Sequence, residues 1–219
     1  MASQSQSGPS QSGDHASLMD TIYRWQRPIY DLTRKYYLFG RDRLIRELDA
    51  QPGMAVLELG CGTGRNLELI AKAWPGVHCH GLDISSEMLK SARKRLGTRG
   101  VLALGDATAF DAAALFGREG FDRIVLSYAI SMIPDWQGAV THAAATLAPG
   151  GSLHIVDFGD GMGLPALARR ALLGWLTQFH VTPRTGLREL AHSLAHAHGL
   201  RCEIIDGPLR YYQLVRLTR

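Results

Sequence analysis

The sequence of 219 residues predicts an α/β protein, with a seven-stranded and mostly parallel sheet that carries helices on both faces and ends in an antiparallel strand. Three observations lead to this prediction. From Met54 onward, short apolar runs alternate with segments of helical periodicity. One of these runs leads directly into three closely spaced glycines. The last two predicted strands are joined by Gly207-Pro208, a turn signal that favours antiparallel pairing.

The predicted elements follow one another in regular alternation after Pro52-Gly53. The predicted strands are Met54–Leu59, Val77–Leu82, Val101–Leu104, Phe121–Tyr128, Ser152–Phe158, Arg201–Ile205 and Arg210–Leu217. The predicted helices are Arg65–Trp74, Ser85–Leu96, Ala109–Phe116, Trp136–Leu147, Pro165–Phe179 and Arg188–His198. Parallel strands require right-handed crossovers, so these helices are expected to cover both faces of the sheet.

The region before the sheet divides into two parts. Residues 1–16 are polar and of low complexity, with too few apolar groups to offset the entropy of ordering, and are predicted to be a disordered tail. Residues 17–51 are predicted to form a helical N-terminal cover, because apolar residues recur there at helical spacing around Pro28. The last helix of this cover is expected at about Gly40 to Leu48. Residues 52–219 form the predicted α/β domain.

The composition bounds the class of protein. No apolar run is long enough to cross a membrane, and the polar N-terminus does not resemble a secretory signal, so a cytoplasmic protein is expected. The three cysteines are far apart, which argues against a disulfide scaffold or a four-cysteine zinc site. The net charge is +4, yet the segment Leu164–Arg219 contains eight arginines and three acids. This basic end is either a surface that meets anions or an ordinary solvated face.

The strongest motif is the run Val56–Gly64, with the sequence VLELGCGTG. The glycines allow a sharp turn and a close approach of a ligand to the backbone, and the amide dipoles at the start of the next helix favour negative charge. The dinucleotide fingerprint GxGxxG would need glycine at Arg65, and the phosphate-binding pattern GxxxxGK[ST] is absent. A nucleotide-like ligand other than a dinucleotide is therefore expected.

This motif resembles the first motif of the class I S-adenosylmethionine-dependent methyltransferases. Matching segments follow in the expected order at Gly81-Leu82-Asp83, Leu104–Ala107, Phe121–Val125 and Leu147–Gly151. The resemblance implies a Rossmann-like fold over residues 52–219 and S-adenosylmethionine as the methyl donor. Asp83 would accept hydrogen bonds from the ribose, Met88 would pack on the adenine, and Asp106 with Ala107 would contact the adenine edge. The other cofactor residues implied are Glu58, Gly60, Cys61, Gly62, Thr63, Gly64, Ile84 and Ser127.

Acceptor-side residues are expected after the fourth strand. Tyr128 is the first candidate, as an aromatic group that could hold a methylated ammonium ion, with a core tyrosine as the alternative. His180 is a second candidate, as a group that accepts a proton. The motif NPPY of enzymes that methylate nucleic-acid bases is absent, so no nucleic-acid partner is expected. No metal site is expected either, because no HExxH pattern is present.

The aromatic and basic stretch Tyr23–Arg46, read with the glycine motif, resembles bacterial betaine-lipid methyltransferases. Those enzymes trimethylate the homoserine nitrogen of a diacylglyceryl-homoserine lipid. Tyr23, Tyr30 and Arg41 would then contact the cofactor or the headgroup. For Arg41 the alternative is a surface ion pair with Asp42 or Glu47.

The segment Leu164–Phe179 is compatible with peripheral contact at the inner membrane face, because it combines apolar bulk with paired arginines. An ordinary amphipathic helix over the sheet is the alternative. The acceptor is expected to be a lipid headgroup or a small-molecule amine. A methyltransferase for a soluble molecule or a quinone remains an alternative, as does a non-catalytic module that binds the cofactor or RNA. A nicotinamide oxidoreductase is disfavoured by Arg65, and the oligomeric state stays open.

Overall fold

The computed structural model describes residues 38–178 and 181–219 of the chain. Its helices are α1 (Arg41–Arg46), α2 (Arg65–Ala73), α3 (Ser86–Leu96), α4 (Ala112–Phe116), α5 (Trp136–Ala145), α6 (Ala166–Thr177) and α7 (Leu187–His198). Its strands are β1 (Ala55–Leu59), β2 (His78–Asp83), β3 (Gly100–Leu104), β4 (Phe121–Ser127), β5 (Leu147–Phe158), β6 (Arg201–Asp206) and β7 (Tyr212–Thr218). Two short 3₁₀ turns, Gly97–Arg99 and Pro208–Arg210, precede β3 and β7.

The seven strands form one sheet in the order β3-β2-β1-β4-β5-β7-β6. Neighbours from β3 to β5 pair in parallel, while β7 is antiparallel to both β5 and β6. The predicted architecture is therefore confirmed, including the antiparallel last strand. Because the strand order reverses beside β1, the crossovers on its two sides pass over opposite faces and leave a crevice beyond its carboxyl end.

Several predicted boundaries differ from the structure, among them those of α4, α5 and β5. Helix α4 starts at Ala112 rather than Ala109, because the Asp111 carboxylate caps it by accepting from the Ala114 amide at 3.0 Å. Helix α5 ends at Ala145 instead of Leu147. Strand β5 begins at Leu147 and not at Ser152, since the chain continues through Pro149-Gly150-Gly151 as an irregularity in the pairing with β4.

Helices cover both faces of the sheet, and each face has its own cluster of buried apolar residues. On one face α4, α5 and α7 pack against residues such as Ile124, Leu153 and Val215. On the other face α1, α2, α3 and the end of α6 pack against residues such as Val56 and Leu214. Within the described residues, no helix is both long enough and apolar enough to cross a bilayer.

The N-terminal cover is described only from residue 38, so the predicted tail and most of the predicted cover lie outside the described residues. Helix α1 buries Leu44 and Ile45 in the second cluster. Two arginines of the sheet, the buried Arg123 and the half-buried Arg216, hold the backbone that follows α1. Arg123 donates to the Leu48 carbonyl at 2.8 Å, and Arg216 donates to the Glu47 carbonyl at 2.8 Å. These bonds fix α1 against the second face.

A neutral histidine lies between these arginines. His154 is 1% exposed in the middle of β5, where Arg216 is its partner on β7, and its Nε2 is 2.8 Å from the Ser152 hydroxyl. Burial, with the charges of Arg216 and Arg123 as lesser causes, lowers the pKa of His154 to about 3. A proton here would place a buried positive charge beside two arginines, so the fold requires the neutral imidazole.

This requirement predicts a loss of stability in acid. An unfolded histidine takes up a proton below about pH 6.5, whereas folded His154 resists protonation down to about pH 3. The unfolded state therefore binds more protons in this window, and stability falls by up to about 1.4 kcal/mol per pH unit as the pH drops. In urea unfolding between about pH 7 and pH 4, the stability of wild type relative to His154→Gln should shrink steadily. A stability difference that is the same at every pH would contradict this origin.

Candidate functional site

The glycine loop follows directly from β1. All five residues of β1 are buried, and the chain then turns through Gly60–Gly64 into α2. Gly60 has φ of +69°, and a Cβ atom there would lie 2.9 Å from the Cβ of Ala129. Gly62 has φ of +53°, and a Cβ atom there would meet no atom within 4 Å. The loop thus requires glycine for its backbone at both positions, and at Gly62 it also leaves open space above the chain.

The end of β2 holds this loop in place through one carboxylate. Asp83 is 8% exposed, and its Oδ2 accepts a hydrogen bond of 2.7 Å from the Gly62 amide. Its Oδ1 accepts one of 2.9 Å from the Ser85 amide. The same side chain therefore fixes the loop after β1 and the start of α3. The Ser85 hydroxyl accepts a hydrogen bond of 3.3 Å from the Met88 amide, so Ser85 is the N-cap of α3.

A small cavity opens above the loop. Its walls come from the loop itself, from the side chains of Glu58 and Ser127 at the ends of β1 and β4, from Asn66 of α2, and from Leu38 and Arg41. Glu58 is 1% exposed, and its Oε1 accepts a hydrogen bond of 2.7 Å from the Asn66 amide group. The cavity has polar walls and lies at the carboxyl end of β1, where the strand order reverses.

Arg41 forms an ion pair and also lines the cavity, and its contact with the cofactor or headgroup stays a prediction. Its guanidinium forms an ion pair of 2.7 Å with Asp42, not with Glu47, which pairs with Arg43 and Arg216 instead. Yet Arg41 is only 6% exposed and lines the cavity, while the Asp42 side chain is 77% exposed. An arginine so placed brings positive charge to the cavity wall, because its counterion lies mostly in solvent.

Carboxylates and apolar side chains continue the site beyond β2 and β3. Asp106 follows β3, and its Oδ1 accepts from the Thr108 amide at 2.9 Å and from the Thr108 hydroxyl at 2.8 Å. Ala107 is 9% exposed, and Met88 is 3% exposed at the start of α3. The Gly105 amide donates to the Asp83 carbonyl at 3.1 Å, which joins the two strand ends. The order β3-β2-β1-β4 thus places the predicted cofactor residues along one edge of the sheet.

Two features of the cavity indicate that a polar ligand suits it. The Ser127 hydroxyl is buried and finds no hydrogen-bond partner in the described part of the chain. The open space above Gly62 is a cradle that any side chain would fill. A buried hydroxyl without a partner costs free energy, which a ligand that hydrogen-bonds to it would recover. The residues present therefore fit a polar nucleoside ligand with groups for Ser127 and Asp83.

The remaining candidates differ in position. Cys61 is 5% exposed, and burial raises the pKa of its thiol well above the ordinary value, so it remains a protonated packing residue. Tyr23, Tyr30 and His180 lie outside the described residues, and their roles stay predictions. Ile84 is half-buried directly after Asp83. The described residues contain no group of three His, Cys, Asp or Glu side chains that could hold a metal ion.

Tyr128 is a packed residue in this structure and does not present an open aromatic face. It is 2% exposed with φ of +54°, and its hydroxyl donates to the Phe39 carbonyl. Its ring contacts Phe158 at a centroid distance of 4.8 Å. Burial raises the pKa of its hydroxyl far above the usual range, so it stays protonated. The arrangement agrees with the core alternative, and direct contact with an acceptor stays a prediction.

The sequence interpretation missed a polar cluster at the end of β5. Asp157 is 1% exposed, and its Oδ2 accepts a hydrogen bond of 3.1 Å from the Ser131 amide in the loop after β4. Gln213 is its partner on β7 and is 4% exposed. Arg184 donates to the carbonyls of Ile130 and Ile133 in the same loop. The sequence signal that could have revealed this cluster is the acidic Asp157 near the end of an apolar strand, the same pattern as at Asp83.

The fold and site together define a nucleotide-binding protein of the doubly wound, Rossmann-like class. A family model described as a methyltransferase domain matches residues 57–153. The chain is 31% identical to demethylmenaquinone methyltransferase of Corynebacterium glutamicum over 150 residues, which is 66% of this chain and 60% of that protein. The chain thus spans less than two thirds of that relative. It is also 32% identical to phosphatidylethanolamine N-methyltransferase of Cereibacter sphaeroides over 167 residues, 72% of this chain and 79% of that protein.

The solved structures agree with this class. Phosphoethanolamine N-methyltransferase 2 of Haemonchus contortus, in complex with S-adenosyl-L-methionine, superposes with a TM-score of 0.71 at 17% identity, over 91% of this chain and 59% of that chain. At this identity the likeness concerns the fold alone. Because the Cereibacter relative is 32% identical and 79% of its length is matched, the chain belongs to the class I S-adenosylmethionine-dependent methyltransferases. The prediction of S-adenosylmethionine as the cofactor is thereby confirmed.

The Asp83 carboxylate gives a first test of the site. Asp83→Ala should weaken binding of S-adenosylhomocysteine by about 5- to 150-fold, because the loss of a charged hydrogen bond costs roughly 1–3 kcal/mol. Calorimetric titration measures this change. Asp111→Ala is the matched control, since Asp111 also accepts a backbone amide bond but caps α4 away from the site. Equal affinity in both variants would remove Asp83 from the cofactor site.

The open space above Gly62 gives a second test. Gly62→Ala and Gly117→Ala both place a side chain at positive φ, +53° and +66°, with no atom within 4 Å. Both should lose about 1 kcal/mol of stability through the left-handed backbone. Only Gly62→Ala should also reduce cofactor affinity, by about tenfold or more, because its methyl group enters the cradle. If the two variants bind the cofactor equally well, the ligand does not lie over Gly62.

Proposed function

We propose that this protein transfers methyl groups from S-adenosylmethionine to the amine of a lipid headgroup, with diacylglyceryl-homoserine as the favoured acceptor. The amino-lipid class is supported by the similarity to a phosphatidylethanolamine N-methyltransferase over 72% of this chain. The homoserine headgroup rests on the resemblance of the N-terminal stretch and the glycine motif to betaine-lipid methyltransferases. The structural observation that carries the proposal is an aromatic cluster beside the cavity.

The aromatic cluster comprises Tyr128, Phe158, Tyr211 and Phe39. Ring centroids are 4.8 Å apart between Tyr128 and Phe158, 5.9 Å between Phe158 and Tyr211, and 5.4 Å between Tyr211 and Phe39. Tyr128 forms its buried end, while Phe39 is 58% exposed next to Leu38, which lines the cavity. Aromatic faces attract quaternary ammonium groups, the product of repeated methylation of an amine. The outer rings, Phe39 and Tyr211, are the part of the cluster that can receive such a group.

The chain's own residues supply binding and orientation. When bound, the cofactor supplies an electrophilic methyl group on a positively charged sulfur. In the proposed arrangement Asp83 accepts hydrogen bonds from the ribose, while Ser127 donates from the end of β4. The Arg41 guanidinium attracts the carboxylate of the cofactor's amino-acid part, because its own counterion is mostly in solvent. Such fixed groups accelerate a displacement mainly by positioning the reactants.

The amine nitrogen attacks the methyl carbon while the carbon–sulfur bond breaks, so the amine must arrive with its lone pair free. The sulfonium becomes a neutral thioether, and the nitrogen takes the positive charge. The amine proton leaves to solvent or to a base before each further transfer. The aromatic faces favour the cationic product without any covalent contribution from the protein.

A quinone acceptor is the second candidate. The observation in its favour is the 31% identity to demethylmenaquinone methyltransferase over 66% of this chain. Methylation of a quinone carbon leaves no cation on the product, so the aromatic cluster would then serve only as apolar packing. The two candidates therefore differ in what they require of the aromatic faces.

The test is a transfer assay with S-adenosylmethionine labelled in its methyl group. Diacylglyceryl-homoserine, phosphatidylethanolamine, demethylmenaquinone and soluble phosphoethanolamine are offered separately in detergent micelles. We expect label in the organic phase with the homoserine lipid, and mass spectrometry should show up to three added methyl groups. Label confined to the quinone, or to the soluble amine, would overturn the proposed acceptor. Asp83→Ala serves as the variant with impaired donor binding.

The aromatic cluster is tested with the same assay. Tyr211→Leu should slow the second and third methylations more than the first, because those steps produce a cation of growing size against the ring. Tyr211→Phe keeps the aromatic face and should restore the wild-type ratio of products. A uniform slowing of all three steps in Tyr211→Leu would assign the ring to packing only.

A further inference from the structure

Three exposed apolar side chains lie on neighbouring segments of the chain beyond the carboxyl end of β5. Met162, Leu167 and Leu209 are 57%, 82% and 56% exposed, and they are named here the apolar rim. Large apolar side chains in such exposed positions need a reason when they cluster. The rim lies at the same edge of the sheet as the glycine loop and the aromatic cluster, because β5 runs parallel to β4 and β1.

Backbone hydrogen bonds bring the rim together. The segment after β5 runs beside the turn before β7, with the amides of Gly159, Gly161 and Gly163 donating to the carbonyls of Tyr211, Arg210 and Leu209 at 2.9, 3.0 and 3.2 Å. Met162 is thereby placed next to Leu209. Helix α6 starts three residues after Gly163 and presents Leu167 in its first turn. The rim is therefore a built surface of three chain segments.

Helix α6 contributes little to the core. Of its twelve residues only Leu176, near its end, is buried. Leu172, Leu173 and Trp175 are half-buried, and Leu167 is almost fully exposed. A helix that only covered the sheet would bury an apolar stripe along its whole length. The first turns of α6 thus carry apolar surface that the body of the protein does not use.

The turn that carries Leu209 is strained. Leu209 and Arg210 both have φ of +54°, in the left-handed region that favours glycine. A leucine held there costs free energy, and its side chain recovers little of it because it is 56% exposed. Glycine would relieve the backbone at a small cost in buried surface. An exposed leucine at such a position indicates a role outside the fold.

The charge around the rim is positive. No acidic residue occurs from residue 161 to residue 188, a stretch that includes Arg169 and Arg170. Asp160, just before it, forms an ion pair of 2.6 Å with Arg210 and accepts from Arg169 through its carbonyl. Arg170 is exposed on α6. Apolar side chains surrounded by cations complement an anionic lipid surface, where the apolar groups insert and the cations meet the headgroups.

We propose that the apolar rim, with Arg170 beside it, docks this protein on the surface of an anionic bilayer. Docking in this way turns the carboxyl edge of the sheet, with its cavity and aromatic cluster, toward the lipid headgroups. The inference deepens the proposed function and rests on it for the reason why a lipid surface is visited. The docking itself requires neither cofactor nor catalysis. Insertion of only three apolar side chains into the bilayer surface gives reversible binding.

The test is co-sedimentation of the full chain with vesicles, without cofactor. Vesicles of phosphatidylcholine alone are compared with vesicles that contain about 30% phosphatidylglycerol. We expect binding to the anionic vesicles, weakened by high salt. The double variant Leu167→Gln, Leu209→Gly should bind about tenfold more weakly or worse, and Arg170→Gln about fivefold more weakly. No binding of the wild type to anionic vesicles overturns the proposal.

Matched controls separate docking from folding. Val101→Thr removes an apolar group that is 52% exposed on β3, at the far edge of the sheet, and should leave vesicle binding unchanged. Leu209→Gly alone should match or exceed wild-type stability in urea, because it relieves the left-handed leucine, while its vesicle binding falls. If Val101→Thr reduces binding as much as the rim variants, the rim is not the docking surface. If the rim variants instead abolish self-association in sedimentation velocity and leave vesicle binding intact, the rim contacts a second copy.

The result is distinguishable from failure of the proposed function. Vesicle binding without transfer of label to any lipid would leave the docking standing and remove the lipid acceptor. Transfer to lipid in detergent micelles without any vesicle binding would support the lipid acceptor and overturn the docking surface. In the transfer assay with vesicles, the rim variants should raise the apparent KM for lipid while the rate on dispersed lipid in micelles stays near that of the wild type.

Discussion

The central position of β1 is the constraint on which the site depends. With β2 on one side and β4 on the other, the connections on the two sides of β1 pass over opposite faces of the sheet, which leaves a crevice beyond the carboxyl end of β1. Glu58 is the one polar residue of β1, and it faces this space through its bond to Asn66. The glycine loop, Asp83 and Ser127 then surround the same opening, because each terminates a strand that pairs with β1 or a neighbour.

The segment before β1 is held beside this opening by arginines on β4 and β7. Arg123 on β4 and Arg216 on β7, the strands on either side of β5, donate to the backbone carbonyls of Leu48 and Glu47. Guanidinium groups that are withdrawn from solvent need such acceptors, and the neutral His154 on β5 between them avoids a further charge. Leu38 and Arg41, which line the cavity, belong to the segment so held. The second face of the sheet therefore positions part of the cofactor site through ordinary backbone contacts.

Most of the fold could be predicted from local sequence signals, but little of the acceptor side of the site could. Periodicity, the glycine run and Gly207-Pro208 predicted seven strands and the direction of the last one, because these signals depend on neighbours in the chain. The start of β5 was predicted too late, since Pro149-Gly150-Gly151 has the composition of a turn although the strand passes through it. Asp157 and Gln213 lie 56 residues apart and meet only through the pairing of β5 with β7. Tyr128 was predicted either as an acceptor-side aromatic group or as a core tyrosine. Its sequence neighbours could not decide between the two, because the contacts that bury it are with Phe39 and Phe158 from distant segments.

The insertion of β7 between β5 and β6 has a consequence for biosynthesis. Strand β7 follows both of its neighbours in the chain, so during translation β5 exposes an unpaired edge and β6 has no partner until β7 leaves the ribosome. The open edge of β5 is apolar, with Leu153, Ile155 and Val156 among its residues. Such an edge is a template for association with other strands. We therefore expect chains of this protein that stop before β7 to aggregate more readily than chains of a protein whose sheet grows outward strand by strand.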